Sequence, residues 1–293
     1  MKERPSLHAL ALFLATVEHG TMTAAAETEG IAQPAISVHI RNLERFYETA
    51  LLERSGRRVR PTAAGELAAA YARRILGLVD EFGQALAAME GLRGGRLVVG
   101  ASATVAETWL PTILGRFRRV HPAVALEVRL GNSEHILHDV RERALSFGII
   151  GRQADDPSLL IRPVFEDRLE LFAAADSRLA SAAELHLTDL ANETFVLREP
   201  GSATREAVLG CMRTVGFDPT DEVQLGSNEA VKRAVAAGLG IGVLSVRTLD
   251  VDLRAGDVAI VPCVNWDCRR QFWLVNRADR ILSRAEQAFL ALL

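Results

Sequence analysis

The chain has 293 residues, 49% of them hydrophobic and 24% charged, which is enough apolar material for two packed domains of ordinary soluble composition. A formal net charge of -3 excludes a chain-wide electrostatic attraction to nucleic acid, so any basic site has to be local. No stretch reaches the roughly 18 uninterrupted apolar residues of a membrane span. The short apolar run near the N-terminus ends in Glu18, His19 and Gly20 with no small-residue cleavage site, so a cytoplasmic protein without a membrane partner is expected.

The first 90 residues read as helical. Leu7, Leu10, Phe13, Leu14 and Val17 share one face of a helix that Gly20 closes. A short second helix, TMTAAAETEG, has Thr23 as its candidate N-cap and Gly30 as its stop. A third, QPAISVHIRNLERFYE, carries Pro34 early, where a missing N–H costs nothing, and turns Ile36, Ile40 and Leu43 inward. Three short, tightly joined helices of this kind form a helix-turn-helix pattern from about Thr21 to Ile40. Next, Ser55-Gly56 turns between Leu51-Leu52 and Val59, which suits a two-stranded wing. From Thr62 to about Glu90 runs an Ala- and Leu-rich helix, too long for one small domain to cover, so a dimerising surface is expected.

After Arg93-Gly94-Gly95 the rhythm changes to strand, helix, strand. RLVVGAS (96–102) is a strand, 104–122 a helix, VALEVRLG a strand, SEHILHDVRER a helix and ALSFGIIG a strand. A second round follows: LELFAAA (169–175), the loop and helix of PGSATREAVLGCMRTVGF, EVQLG, SNEAVKRAVAAGLG and IGVLS. RRQFWLVN (269–276) and SRAEQAFLALL close the chain. Such alternation implies parallel strands with helices on their faces, and two similar rounds imply two lobes with a cleft between them. The expected fold is therefore α+β and multidomain. It has a winged helix-turn-helix over 1–61, a linker and dimerisation helix with hinge over 62–92, and a two-lobed α/β domain over 93–293. Lobe I is expected at about 96–164 and 268–293, and lobe II at about 165–267.

Residues 7–65 resemble the DNA-binding segment of the LysR-type transcriptional regulators. The matching positions are Phe13, Val17, Gly20, Ala25-Ala26, Gln33-Pro34-Ala35-Ile36-Ser37, Ile40, Leu43-Glu44, Leu51, Arg54, Arg58 and Thr62-Ala63-Ala64-Gly65. The order of segments along the whole chain is similar too. The resemblance implies a C-terminal effector domain like the periplasmic solute-binding proteins, and a homodimer assembled into a homotetramer on a pseudo-palindromic operator. LREPGSATREAV and LGSNEAVKRAVAAGLGIGVLS look most like the subgroup controlling carbon-fixation (RuBisCO) operons and sulfur-assimilation genes, whose effectors are phosphorylated metabolites or sulfur oxyanions. Glu29, Ala32, Glu48 and Pro61 depart from the family pattern. They keep open a second reading, a cytoplasmic small-molecule-binding protein with a weakened DNA-binding domain.

A helix in the major groove needs short polar groups that read base edges and flanking cations that hold phosphate. Gln33 and Ser37 suit the first task; Thr21, Thr23, Pro34, Ala35, His39 and Arg41 complete the expected helix-turn-helix surface. Arg54, Arg57, Arg58 and Arg60 cluster in the wing. Residues 31–60 hold six arginines against Glu44, Glu48 and Glu53, a modest excess that is either a solvated charged face or a phosphate-binding wing.

In the effector domain, Ser102 and Thr104, then Ser202, Thr204 and Arg205, then Ser227 and Asn228 stand where strands pass into helices, with Arg152 beside them. Such positions suit an anion, and equally suit ordinary helix caps. The resemblance carries over best onto Ser102, Thr104 and Ser202. No catalytic, metal or cofactor motif is present; His135, His138 and Asp139 share a helix without a second ligand cluster, so no enzyme and no cofactor are expected. Cys211, Cys263 and Cys268 read as reduced thiols, with a Cys263–Cys268 pair as the alternative.

Overall fold

The computed structural model describes residues 4–55, 58–89 and 95–293. They fall into two compact units, Met1–Ala87 with Glu142–Ala144, and Ala88–Arg141 with Leu145–Leu293.

The first unit holds α1 (Leu7–His19), α2 (Met22–Glu29), α3 (Gln33–Tyr47), β1 (Leu52–Ser55), β2 (Arg58–Pro61) and α4 (Ala63–Met89). Ser6 starts α1 by accepting the Ala9 N–H at 3.1 Å, and Gly20 ends it at a left-handed φ of 67°. The N-cap of α2 is Thr21, whose hydroxyl accepts the Ala24 N–H at 3.1 Å. This corrects the expectation for Thr23, which lies inside the helix. The helix α3 begins at Ala32, which has no oxygen to offer its orphan N–H groups, and ends at Glu48 with φ 53°. A side chain in that left-handed region costs roughly 1–2 kcal/mol.

Leu12, Phe13, Ala25, Ile36, Ile40 and Leu43 form the buried centre of this unit. The wing hangs from it by one main-chain bond and by two main-chain N–H groups held by a carboxylate. The Val59 N–H donates to the Gly20 carbonyl at 2.9 Å, and the Leu51 and Leu52 N–H groups donate to Glu44 Oε1 at 2.8 and 3.2 Å. Thr62 starts α4: its hydroxyl accepts the Gly65 N–H at 3.0 Å and donates to the Ala50 carbonyl at 2.7 Å. A Cβ on Gly65 would stand 1.9 Å from the Leu51 carbonyl oxygen, so only glycine fits beneath the wing.

The second unit runs β3 (Arg96–Ser102), α5 (Ala103–Thr108), α6 (Leu110–Val120), β4 (Ala125–Gly131), α7 (Ser133–Arg141), β5 (Phe147–Ile150) and β6 (Leu159–Ala174). It continues through β7 (Phe195–Arg198), α8 (Ala203–Thr214), β8 (Glu222–Leu225), α9 (Asn228–Ala236), β9 (Ile241–Ser245), α10 (Val246–Ala255), β10 (Val258–Ile260), β11 (Cys268–Arg277) and α11 (Arg284–Leu290). The strands form one sheet in the order β4-β3-β5-β11-β6-β9-β7-β8, with β10 also on β6. The sets β4-β3-β5 and β8-β7-β9 are parallel within themselves, and the antiparallel pair β6 and β11 joins them. Each set packs its own core, one around Val99, Phe117 and Phe147, the other around Leu171, Phe195 and Met212. Two lobes share two crossover strands.

Three expectations change here. The helix expected over 104–122 is two helices, because Pro111 in the first turn of α6 has no N–H to continue the ladder. The strand expected at 169–175 is the second half of the 16-residue β6, so the lobe division at 164/165 falls inside a strand. Its first half contains Pro163, and the β6–β11 register shifts beside that residue, between Phe272 and Trp273. Proline in a sheet is accommodated at such a bulge. The cysteines are not all free: Cys211 on α8 is bonded to Cys268 on β11, with Cα atoms 5.7 Å apart, and Cys263 is the free thiol. The backbone of Cys263 forms an isolated parallel β-bridge with Leu185. No helix among the described residues is long and apolar enough to cross a membrane.

Candidate functional site

Two surfaces carry the sequence's polar motifs. On α3, Gln33, Ser37 and Arg41 follow one another at single-turn spacing. Gln33 Nε2 donates to Ser37 Oγ at 3.0 Å, Ser37 Oγ approaches Met22 Sδ at 3.2 Å, and Arg41 Nε donates to the Ser37 carbonyl at 3.1 Å. These bonds hold a polar row in front of α2. Pro34 and Val38 are exposed beside it and Ala35 is half-buried, so an apolar contact surface adjoins the polar one. His39 does not join the row; its ring packs edge-on against His8 at 5.3 Å. Thr21 is committed to capping α2, and Thr23 is exposed. In the wing, Arg54 pairs with Val59 in the strand register, Arg58 is exposed opposite Ser55, and Arg57 lies outside the described residues. Glu29 is exposed, so its charge in α2 carries no burial penalty.

The second surface is the cleft between the lobes. Ser102 ends β3 and stands at the start of α5; Asn132 and Ser133 follow β4 and open α7; Ser202 follows β7 and opens α8. Neither Ser102 nor Ser202 uses its hydroxyl to cap its helix. Ser102 Oγ is buried without a hydrogen-bond partner. With Thr104, Thr204, Arg198 and Arg270 they enclose a cavity of about 10 Å³.

Arg270 lies at the floor, on crossover strand β11, and spans both lobes. Its Nη1 donates to Thr204 Oγ1 at 2.8 Å and its Nη2 to Thr104 Oγ1 at 3.2 Å. Its side chain is 4% exposed and is paired at 2.8 Å with Asp167, which is 0% exposed. Asp167 also accepts the Ser245 hydroxyl at 2.7 Å, and the guanidinium lies 4.5 Å from the Phe272 ring centre. Burial pulls the Arg270 guanidinium below its ordinary pKa, and the Asp167 charge opposes that pull. The side chain of Arg198 is equally sheltered. It is held in two bonds by Glu199, at 2.8 and 3.0 Å, and bonded to Asn228 Oδ1. Asn228 Nδ2 crosses to Glu107 of the first lobe at 2.7 Å.

Of the expected effector residues, Ser102, Thr104, Ser202 and Thr204 line one cavity, and Asn228 stands behind it on Arg198. The remaining three do not. Arg152 is paired with Glu206 at 2.9 Å. Arg205 points to Glu222 at 2.8 Å, and its hydrogen bonds hold that carboxyl below its ordinary pKa. Ser227 caps α9 in the ordinary way, accepting the Ala230 N–H at 3.1 Å. The cleft's own cations, Arg198 and Arg270, were missed. Nothing local marks Arg270 in CRRQFWL, because its partners lie 66 to 166 positions away. Among the described residues no group of three or more His, Cys, Asp or Glu side chains gathers to hold a metal.

Both ends of the chain match known families. Residues 7–66 match the bacterial regulatory helix-turn-helix protein, lysR family, and residues 90–293 match the LysR substrate binding domain. The HTH-type transcriptional regulator CysL of Bacillus subtilis is 32% identical over 284 residues, which cover 97% of this chain and 95% of that protein. The regulatory domain of CcmR from Synechocystis, solved in complex with 2-PG, is 30% identical at a TM-score of 0.62, over 67% of this chain and 94% of that one. Full-length CbnR, solved with its target DNA, superposes at a TM-score of 0.58 with 22% identity, covering 98% of each chain. The chain belongs to the LysR family of DNA-binding transcriptional regulators.

Proposed function

We propose that the cleft between α5 and α8 takes a small anion and that its occupancy resets how the helix-turn-helix units hold DNA. Ser102 carries this reading. A buried hydroxyl without a partner is costly to keep, and this one faces a second uncapped serine, Ser202, across the same cavity. Glu199 and Asp167 already neutralise Arg198 and Arg270, so hydroxyls and backbone N–H groups make the first contacts and the cations stand behind them. Ser102, Thr104, Ser202 and Thr204 are the contact residues in this reading. The CcmR domain, similar over the same region, was solved with 2-PG, which supports a small effector here.

Gln33, Ser37 and Arg41 would face the bases, and Arg54, Arg57 and Arg58 the phosphates; CbnR, similar in fold, was solved on DNA. Two copies would pair through α4, where Leu67, Tyr71, Leu78 and Phe82 are exposed along one stripe, Phe82 at 65%. Four copies would assemble on a pseudo-palindromic operator. In this reading 1–61 is the DNA-binding part, 62–92 the linker and 93–293 the effector domain. The protein works in the cytoplasm, where the DNA is, and turns over no substrate.

Thermal-shift titration with sulfate, sulfite and a sugar phosphate tests the cleft. A stabilising ligand that loses its effect in Ser102→Ala/Ser202→Ala supports it; no shift with any of the three overturns the anion reading. Ala32 and Glu48, the uncapped start and strained end of α3, favour a second reading in which DNA binding is weakened. Gel-shift titration against the intergenic DNA beside its own gene decides. Salt-sensitive, sequence-preferring binding supports the regulator, and its absence at every ligand level supports the alternative.

A further inference from the structure

Three positive charges stand where the local structure opposes them. Arg168 on β6 and Arg269 on β11 are direct partners in the strand register, and like charges directly opposite each other destabilise a strand pair. Arg247 is the second residue of α10, at the helix's positive end, with no acidic residue in that first turn. A cation is unfavourable there. All three line one cavity of about 570 Å³, whose wall also includes Glu166, Gln271 and the Asp167–Arg270 pair. That volume is within the range of small-metabolite sites.

The charges are only loosely answered. Arg269 is paired with Asp267, both of them exposed, and such a pair exchanges partners at little cost; Arg168 is paired with the sheltered carboxylate of Glu170 but is itself 58% exposed, so it can meet a ligand while keeping that partner. Arg247 has no carboxylate partner among the described residues. Its guanidinium lies 4.9 Å from the Trp109 ring centre, which fixes its position without neutralising it. Glu166 contributes one negative charge against the three arginines and lies across the strands from Gln271.

We propose that this cavity is a second ligand site, separate from the cleft of Ser102 and Ser202, for a small polyanion carrying at least two phosphate or carboxylate groups. Arg168 and Arg269 grip one group and Arg247 the other. The site lies on β6 and β11, the strands shared by both lobes, and Arg270 lines both it and the cavity of Ser102 and Ser202. A ligand there bears on the angle between the lobes, and so on the first site.

The probe is pyrophosphate, titrated calorimetrically into the full chain, with orthophosphate for comparison. Pyrophosphate binds more tightly than orthophosphate, Ser102→Ala/Ser202→Ala retains that binding, and Arg168→Gln/Arg269→Gln weakens it at least about tenfold, as the loss of charge-assisted hydrogen bonds requires. Arg168→Lys/Arg269→Lys keeps the charge and keeps most of the affinity; Arg247→Gln erases the preference for pyrophosphate over orthophosphate. No pyrophosphate binding by the wild-type chain overturns the proposal. So does binding untouched by the Arg168/Arg269 change in a variant that melts like wild type, and so does binding lost in the serine variant, which would place the anion in the first cleft.

Discussion

Asp167 and Arg270 face each other across β6 and β11 and form a buried ion pair at 2.8 Å, at the point where the two lobes of the regulatory domain meet. Removing one partner leaves the other charged and unpaired in the interior. Arg270→Met is expected to cost about 3–5 kcal/mol in urea unfolding, and Asp167→Leu/Arg270→Met much less than either single change. Equal losses in the single and double variants would show that the pair is not the source.

The two ends of α3 can be improved. Ala32→Ser supplies an N-cap oxygen to α3 and is expected to raise stability by about 1 kcal/mol. Glu48→Gly relieves a side chain at φ 53° and is expected to add about 1 kcal/mol. Calorimetry on the full chain reads both as a higher melting temperature of the DNA-binding unit. If neither change raises it, the local accounts of the ends of α3 are wrong.

Asp156 contributes on the acid side. Its carboxylate accepts the Ser158 hydroxyl at 2.6 Å, the Ser158 N–H at 2.9 Å and Arg141 Nε at 2.8 Å, which bring its pKa down to about 2. A depressed carboxyl stabilises the fold fully above its unfolded pKa of about 3.9, and that contribution is lost as the pH falls toward the folded value. Asp156→Asn should therefore lower stability at neutral pH and flatten its decline below about pH 4. An NMR midpoint near the ordinary value would contradict the hydrogen bonding described.

The Cys211–Cys268 bond is open to direct counting. Alkylation without reductant should label one cysteine, Cys263, and after reduction in denaturant should label all three. The bond closes a loop of 57 residues, so Cys211→Ser should lower the stability of the oxidised protein by about 2–4 kcal/mol. Three labelled thiols without reductant would show the bond absent in solution.

The sequence revealed those parts whose causes are local. Gly20 and Gly30 stop helices where they stand, Pro34 sits in a first turn, and Ser55 and Val59 flank a hairpin, so the helix-turn-helix and wing could be read directly. In the regulatory domain, Ser102 and Ser202 line one cavity, and their place between strand and helix is a local signal that the sequence carries. Arg152 and Arg205 do not line the cavity because chain proximity does not say which way a side chain turns: Arg152 pairs across the lobes with Glu206 in the first turn of α8, and Arg205 pairs with Glu222. The first half of β6 was hidden because LLIRPVFEDR alternates weakly and contains proline. Arg270 was hidden because its role depends on pairing with a strand about a hundred residues earlier.

The 10 Å³ cavity between Ser102 and Ser202 holds about one water-sized sphere, and Arg270 ties its two walls together through Thr104 and Thr204. In the reading proposed above, the effector enters only once those bonds part. Its arrival is therefore timed by the protein's own opening rather than by diffusion, and the observed association rate should level off as ligand concentration rises. In that reading, apparent affinity scales with the fraction of molecules that are open. Loosening the Arg270 latch would thus make the regulator respond sooner and at lower effector concentration.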